Sequence, residues 1–405
     1  MRRRHLLALA PAAALAACSA DGTGDGPDGP SASDGGSSDG GASSGAGTPT
    51  GEATTTPETT PPPTAAEMLL EDLTPREIAG QLVLVGIQAG SEIPPEVITE
   101  DHAGGIFLLQ VWESAEEVDR TVADAAAMSR PDLPPLVAVD QEGGQVRMLR
   151  GDAARRTASA EELGAEGLEA VAAAYTSIGE DLAARGIQVA LSPVADVVDP
   201  DLGNANEPVG TLDRGFGTDP EAVGDCVAAA VEALGEQGIG ATLKHFPGLG
   251  RVEQNTDFSA EGIEDDITGP DDPFLGAFRA GIEAGAQLVM MSSAIYPRIE
   301  PEVPAMFSAA AVQDLLRGSL GFEGLVVTDD IGAAKAVQDV PVAERATRLL
   351  AAGGDAVLTA DPSLIAQLVD AIEEWAAASP EQEQRVRESA GRMLALKEQL
   401  GLLEG

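Results

Sequence analysis

Eight short apolar runs rich in β-branched residues recur along the chain, separated by stretches of helical period, and this alternation narrows the fold more than any other feature. The runs are GQLVLVGI near Gly80, AGGIFLL near Ala103, PPLVAVD near Pro134, IQVALSPVAD near Ile187, GIGATLKHFP near Gly238, AQLVMMSS near Ala286, GLVVTDD near Gly324 and GDAVLTA near Gly354. Strands alternating with helices build βαβ units and a parallel sheet, and eight of them are the count of a single α/β barrel of the (β/α)8 TIM type. A doubly wound open sheet is the alternative. It is disfavoured because no G-x-G-x-x-G follows the first run and because polar residues gather at the ends of many runs. Asp140 ends the third, Asp196 the fourth, Lys244 and His245 the fifth, Ser292 and Ser293 the sixth, and Asp329 with Asp330 the seventh. In a barrel these ends converge on the face where active sites are built. Two amphipathic helices, SLIAQLVDAIEEWAAAS and EQEQRVRESAGRMLALKEQLGLL, follow the eighth run, with Trp375 expected to pack against the barrel.

The barrel accounts for residues 65–405. Residues 1–17, beginning MRRRHLLALAPAAALAA, have the basic start and short apolar stretch of an export signal, and Cys18 follows small residues where lipid attachment requires it. A lipoprotein signal is the reading, with a plain secretory signal and an incidental cysteine as the simpler alternative. Residues 18–64 join that cysteine to a linker of Gly, Ser, Thr, Pro, Ala and acids that has too little apolar surface to fold. A flexible coil of that length spans roughly 40 Å. The expectation is an exported protein, lipid-anchored at the outer face of the cell membrane, which it meets through the N-terminal lipid alone.

Sixty-seven acids stand against 24 basic residues, for a net charge of −43, which excludes a nucleic-acid partner because phosphate binding needs clustered Lys and Arg. The acidity reads as a solvated surface. Cys226, in the helical stretch VGDCVAAAVEAL, reads as a core thiol. No His, Cys or carboxylate cluster has ligand spacing, so neither a metal nor a cofactor is expected, and the expected state is a monomer. The acid pairs Asp265-Asp266 and Asp271-Asp272 read as solvated loop.

Within that acidic background a few residues could carry chemistry. Asp329 ends a run of three apolar strand residues and a threonine, where a carboxylate is costly to bury unless it is paired or used; Asp330 is the more natural capping residue. Lys244 and His245 open a long loop carrying Arg251, Glu253, Asn255 and Asp257, and long loops over a barrel mouth tend to be functional. Asp140, Gln141 and Glu142 sit on a turn permitted by Gly143 and Gly144, and Arg214 lies between two turn-forming stretches. Such donors and acceptors around a small pocket suit a hydroxyl-rich ligand.

The ordered motifs VDQEGGQVR, LSPVADV, DRGFG, KHFPG and GFEGLVVTDD resemble glycoside hydrolase family 3, and within it the single-barrel β-N-acetylhexosaminidases that remove terminal N-acetylglucosamine from cell-wall fragments. The resemblance implies an exo-acting, retaining glycosidase with a carbohydrate substrate. It also implies that Asp329 is the nucleophile and that Asp140, Arg214, Lys244 and His245 hold the sugar.

The chain departs from that group where the proton should move. The fifth loop there typically reads KHFPGHGDT and then DSH, whose final His is the acid/base, assisted by the Asp two residues before it. Here Leu249, Arg251, Asn255 and Asp257 stand at the His, Asp, Asp and His positions, and the other histidine of the domain, His102, precedes the second strand. Met148 stands where a sugar-binding Arg is usual, flanked by Arg147 and Arg150, and Ser293 replaces a common His. Three readings follow. Asp257 is the acid/base, poised when the loop closes; or Asp257 pairs with Arg251 and another acid such as Glu253 gives the proton; or the protein binds cell-wall glycan without turning it over. A β-glucosidase is a further enzymatic alternative.

Overall fold

The computed structural model describes residues 62–403. The expected signal peptide, Cys18 and nearly all of the linker lie outside the described residues. Thr64 caps the first helix, Ala65–Asp72, through a reciprocal pair with Glu67.

All eight apolar runs become strands: β1 Val83–Gln88, β2 Gly105–Leu109, β3 Leu136–Val139, β4 Val189–Ala190, β5 Gly240–Phe246, β6 Leu288–Met291, β7 Leu325–Asp330 and β8 Ala356–Thr359. Each pairs in parallel with its sequence neighbours and β8 closes on β1, so the sheet is a complete barrel without edges. Side chains alternate between two apolar environments, which is why the runs are continuous rather than patterned. Leu84, Phe107, Leu136, Ala138, Val189, Leu191, Leu288, Met290, Leu325, Val327, Ala356 and Leu358 fill the interior. Val83, Val85, Ile106, Val137, Leu243, Val289, Val326 and Val357 face the surrounding helices.

This alternation aims the chemistry. On β3 the inward series Leu136, Ala138 continues to Asp140; on β7 Leu325 and Val327 continue to Asp329. On β5 Ala241 and Leu243 pack outward, which turns Lys244 into the barrel, and the register slips between Lys244 and Phe246 as the strand gives way to the loop.

The two expected C-terminal helices form at Ile365–Ala376 and Pro380–Gln399. Trp375 is half-buried against the core, and Met393 and Leu396 of the last helix complete the interior layer at the end of the barrel opposite the strand C-termini. That helix is tied down at Asp355, a fully buried carboxylate that accepts from Arg317 Nη2 at 2.6 Å, from Arg385 Nη2 and Arg392 Nη1 at 2.9 Å, and from Ser389 Oγ at 2.8 Å. Cys226 is buried in the helix Pro220–Glu236, and burial pushes its thiol up, as suits a core residue.

Two acids expected to be solvated are structural instead. Asp265 is buried and accepts from the amides of Ile267 and Thr268 and from Thr268 Oγ1, while Asp272 receives Arg251 Nη1 at 2.9 Å. The acid-rich spelling of this loop hid turns that need a side-chain acceptor.

Candidate active site

The strand C-termini surround a cavity of about 630 Å³ whose floor is the top of the inner apolar layer, Phe107, Leu191, Met290 and Leu358. Asp140, Arg214, Lys244, His245, Asp257 and Asp329 all line it. The six residues singled out in the sequence for catalysis and sugar binding therefore meet in one place.

One wall is a charge network. Lys244 Nζ lies 2.6 Å from both Asp140 Oδ1 and Glu142 Oε1, and Arg214 closes on Glu142 with Nε to Oε2 at 2.9 Å and Nη2 to Oε1 at 2.8 Å. The bidentate Arg–carboxylate fork fixes orientation as well as charge. Burial pushes the Glu142 carboxyl up, but Arg214 and Lys244 outweigh it and hold it down to about 2. Burial likewise opposes the Lys244 charge, and Asp140 and Glu142 hold its ammonium above its ordinary value. Glu142 is the site residue that the sequence showed only as part of a turn: its partner Arg214 is 72 residues away.

His245 is held by Asp196, which is fully buried. Its Nδ1 donates to Asp196 Oδ2 at 2.8 Å, while Oδ1 of the same carboxylate accepts the amides of His245 and Leu249 at 2.9 and 2.8 Å. This leaves Nε2 as the acceptor facing Arg214 Nη2 at 3.4 Å, a donor-rich corner suited to a hydroxyl. Asp196, visible in the sequence only as a strand end, thus orients the ring and starts the loop. The other described histidine, His102, precedes β2 at the opposite end of the barrel, where its carbonyl accepts from Gln81.

Across the cavity stand two acids of different character. Asp329 Oδ1 accepts only the amide of Asp330 at 2.8 Å among the described residues, so the carboxylate is otherwise uncommitted. Asp330 is fully used: its Oδ1 accepts from Gly332 and Ala360 and its Oδ2 from Ala333, fastening the turn after β7 to the end of β8. It is a structural acid, though it caps a turn rather than the helix expected for it.

Asp257 faces Asp329 from the fifth loop, and the loop is already docked over the mouth. Asp257 and Thr256 carbonyls accept the amides of Lys335 and Ala336, Asn255 Oδ1 accepts the Asp257 amide at 2.9 Å, and Glu207 Oε2 accepts the Asn255 amide at 3.3 Å. At the loop's start, Asn206 donates to the carbonyls of Leu249 and Val252 at 2.7 Å, and Gly250 sits where a Cβ would fall 1.6 Å from the Val197 carbonyl oxygen. The Asp257 residue is exposed at the rim, but its carboxyl lines the cavity. Loss of solvation there, and next the charge of Asp329, raise it to about 7.

Both particulars of the second reading of the loop fail. Arg251 does not pair with Asp257: it binds Asp272 and Thr268, lies 3.4 Å from Asp199, and covers the Phe274 ring at 3.6 Å. Glu253 is exposed in a separate cleft beside Asp199 and Asp265. Arg147 and Arg150 do not line the cavity either, since they fold back on the carbonyls of Gly144, Gln145 and Arg147, and Met148 occupies the wall. Ser293 is buried outside the cavity lining with its hydroxyl unpartnered. Among the described residues no three His, Cys, Asp or Glu side chains converge as metal ligands.

The Glycosyl hydrolase family 3 N terminal domain matches residues 74–396. This chain belongs to glycosyl hydrolase family 3. It is 35% identical over 303 residues to a β-hexosaminidase of Xanthomonas campestris pv. campestris, a match covering 72% of this chain and 88% of that one. Among solved structures it is similar to the β-N-acetylhexosaminidase from Beutenbergia cavernae, at 42% identity and a TM-score of 0.77, with 81% of this chain and 99% of that one covered. It is also similar to a family 3 β-N-acetylglucosaminidase from a Paenibacillus strain, at 29% identity and a TM-score of 0.72, covering 82% of this chain and 64% of that one. As a member of this family the chain is a glycosidase, and the cavity described above is its candidate catalytic centre.

Proposed function

We propose that this glycosidase removes a terminal β-linked N-acetylglucosamine from cell-wall glycan fragments with retention of configuration, and that a carboxyl group takes over the proton transfer that its relatives' loop assigns to histidine. The observation that carries the reading is geometric: an uncommitted carboxylate, Asp329, and a second acid, Asp257, line one sugar-sized cavity, and the surroundings of Asp257 raise its carboxyl to about 7. A retaining glycosidase needs one carboxylate free to attack and one carboxyl group able to give a proton, and these two acids meet both needs.

The steps follow from the positions. Asp140, Lys244, His245 and Arg214 take the sugar's hydroxyls on the charged wall. The Asp329 carboxylate attacks the anomeric carbon and forms a glycosyl ester, while Asp257 gives its proton to the glycosidic oxygen and the aglycone leaves as an alcohol. Asp257, now a carboxylate, takes a proton from water, the hydroxide attacks the anomeric carbon, and the β-configured sugar leaves with Asp329 restored. The membrane attachment through Cys18 belongs to the same proposal, since a tethered exo-enzyme at the outer face would meet cell-wall fragments where they are released.

The test is hydrolysis of 4-nitrophenyl N-acetyl-β-glucosaminide by the wild type and Asp257→Ala. A second substrate with a poorer leaving group and added azide complete the design. Loss of roughly 10²- to 10⁴-fold on the poor leaving group, with azide restoring turnover on the activated one, is the expected result. A variant as active as the wild type on both would remove Asp257 from the mechanism. No wild-type turnover on any aryl glycoside would leave a glycan-binding protein. Met148 stands in the cavity wall where a sugar-binding Arg is usual, which leaves a glucosidase as the variation within the enzyme class, and the same assay with an aryl β-glucoside separates the two.

A further inference from the structure

The side chain immediately beyond Asp257 is Phe258, and it is 83% exposed, the most open of the large apolar residues in the described structure. A single exposed apolar residue is ordinary on a protein surface, so exposure alone says little. Its placement says more. Phe258 lines the catalytic cavity together with Pro208, Leu212, Val146 and Ala333, so it is an open aromatic at the edge of a partly apolar rim.

Its backbone is not free to bury it. The amides of Phe258 and Ser259 donate to the Asn255 carbonyl at 3.0 and 2.9 Å, and the preceding carbonyls of Thr256 and Asp257 are fixed to Ala336 and Lys335. The loop therefore anchors the backbone that presents the ring at the rim instead of folding it into the core.

The direction it faces follows from the roles of its neighbours, and here the inference rests on the proposed acid/base. A proton donor must touch the glycosidic oxygen, and beyond that oxygen lies the leaving group. The charged wall of Asp140, Lys244, His245 and Arg214 holds the other side of the scissile bond, so the residue adjoining Asp257 at the rim meets the aglycone. We propose that Phe258 is the stacking platform of an aglycone subsite, taking the apolar face of a pyranose ring, so that the preferred substrate carries a second sugar beyond the bond that is cut. Sugar rings present axial C–H groups on one face, and an exposed aromatic covers them while leaving the hydroxyls in water.

The test compares two substrates with the same glycone, an N-acetyl-β-glucosaminyl disaccharide and methyl N-acetyl-β-glucosaminide, which has no ring beyond the bond. The readout is the ratio of kcat/KM for the disaccharide to that for the methyl glycoside, in wild type, Phe258→Ala and Phe258→Trp. The ratio is expected to fall about tenfold in Phe258→Ala, mostly through KM for the disaccharide, and to be kept in Phe258→Trp. An unchanged ratio in Phe258→Ala, with the wild type active on both substrates, overturns the subsite alone. A wild type that turns over neither substrate overturns the proposed acid/base and the subsite with it. Because Phe258 is exposed, neither substitution threatens the fold.

Discussion

A general acid works only while it carries its proton, and at Asp257 the surroundings set when that is. Desolvation in the mouth and the Asp329 charge raise it from 3.8 to about 7, with Arg214 pulling the other way. A raised value keeps the group protonated below about pH 7 and loses the proton above it, so kcat/KM on a substrate with a poor leaving group is expected to fall as pH rises through about 7. In Asp257→Ala that alkaline limb disappears from the residual rate on an activated aryl glycoside. A limb unchanged in the variant would assign it to another group. Asp329, Lys244 and Asp140 were legible from the sequence, because each ends an apolar strand and also falls where the family resemblance assigns a role. Asp196 and Glu142 were not legible as site residues. Their work is to hold His245, Lys244 and Arg214, and such roles depend on distances between chain segments far apart in sequence.

At the scale of elements, the strands were readable because both faces of each are apolar. Helices were readable as well, yet one helix hides an exception. In the last helix, Pro380–Gln399, Lys397 reads as a surface residue among Glu398 and Gln399, but it is fully buried with one hydrogen bond, from Nζ to Gln81 Oε1 at 2.6 Å. Helical period alone could not reveal this, because Lys397 lies beneath the barrel, against the short helix Pro75–Gly80, where even a polar flank is covered. Burial pulls its ammonium down from 10.5 to about 7. Between those values the unfolded chain holds a proton that the folded protein lacks, so this group makes stability rise with pH across the window; below about 7 the full penalty of a buried charge is present. Lys397→Met removes the penalty and leaves Gln81 Oε1 without its donor, a loss of about 1 kcal/mol. The variant is expected to melt several degrees higher than wild type at pH 6 and to lose that advantage by pH 10. Thermal melts of both proteins at the two pH values decide it, and an equal shift at both would mean that the amine's charge is not what burial penalises.

Over the whole molecule the dominant fact is the surplus of acid, 67 carboxylates against 24 basic residues. Several of those carboxylates are inside and matched: Asp355 is gripped by three arginines, Asp196 by His245 and two amides, and Glu142 by Lys244 and Arg214. Their partners use up some of the scarce basic residues, so the surface is more acidic than the composition alone suggests. Like charges spread over a surface repel across distances set by salt, about 30 Å at 0.01 M and about 3 Å at 1 M ionic strength, while buried pairs are screened much less. Added NaCl should therefore relieve the repulsion and leave the buried pairs standing. Exposed pairs such as Arg155 with Glu180 oppose the trend, but each is worth about 0–1 kcal/mol and is lost to the same screening. The expected outcome is a Tm that climbs by several degrees between 0.01 and 1 M NaCl at pH 7, measured by calorimetry at fixed protein concentration. A flat or falling Tm would mean that surface ion pairs outweigh the repulsion, and that the acidity is balanced locally in spite of the net charge.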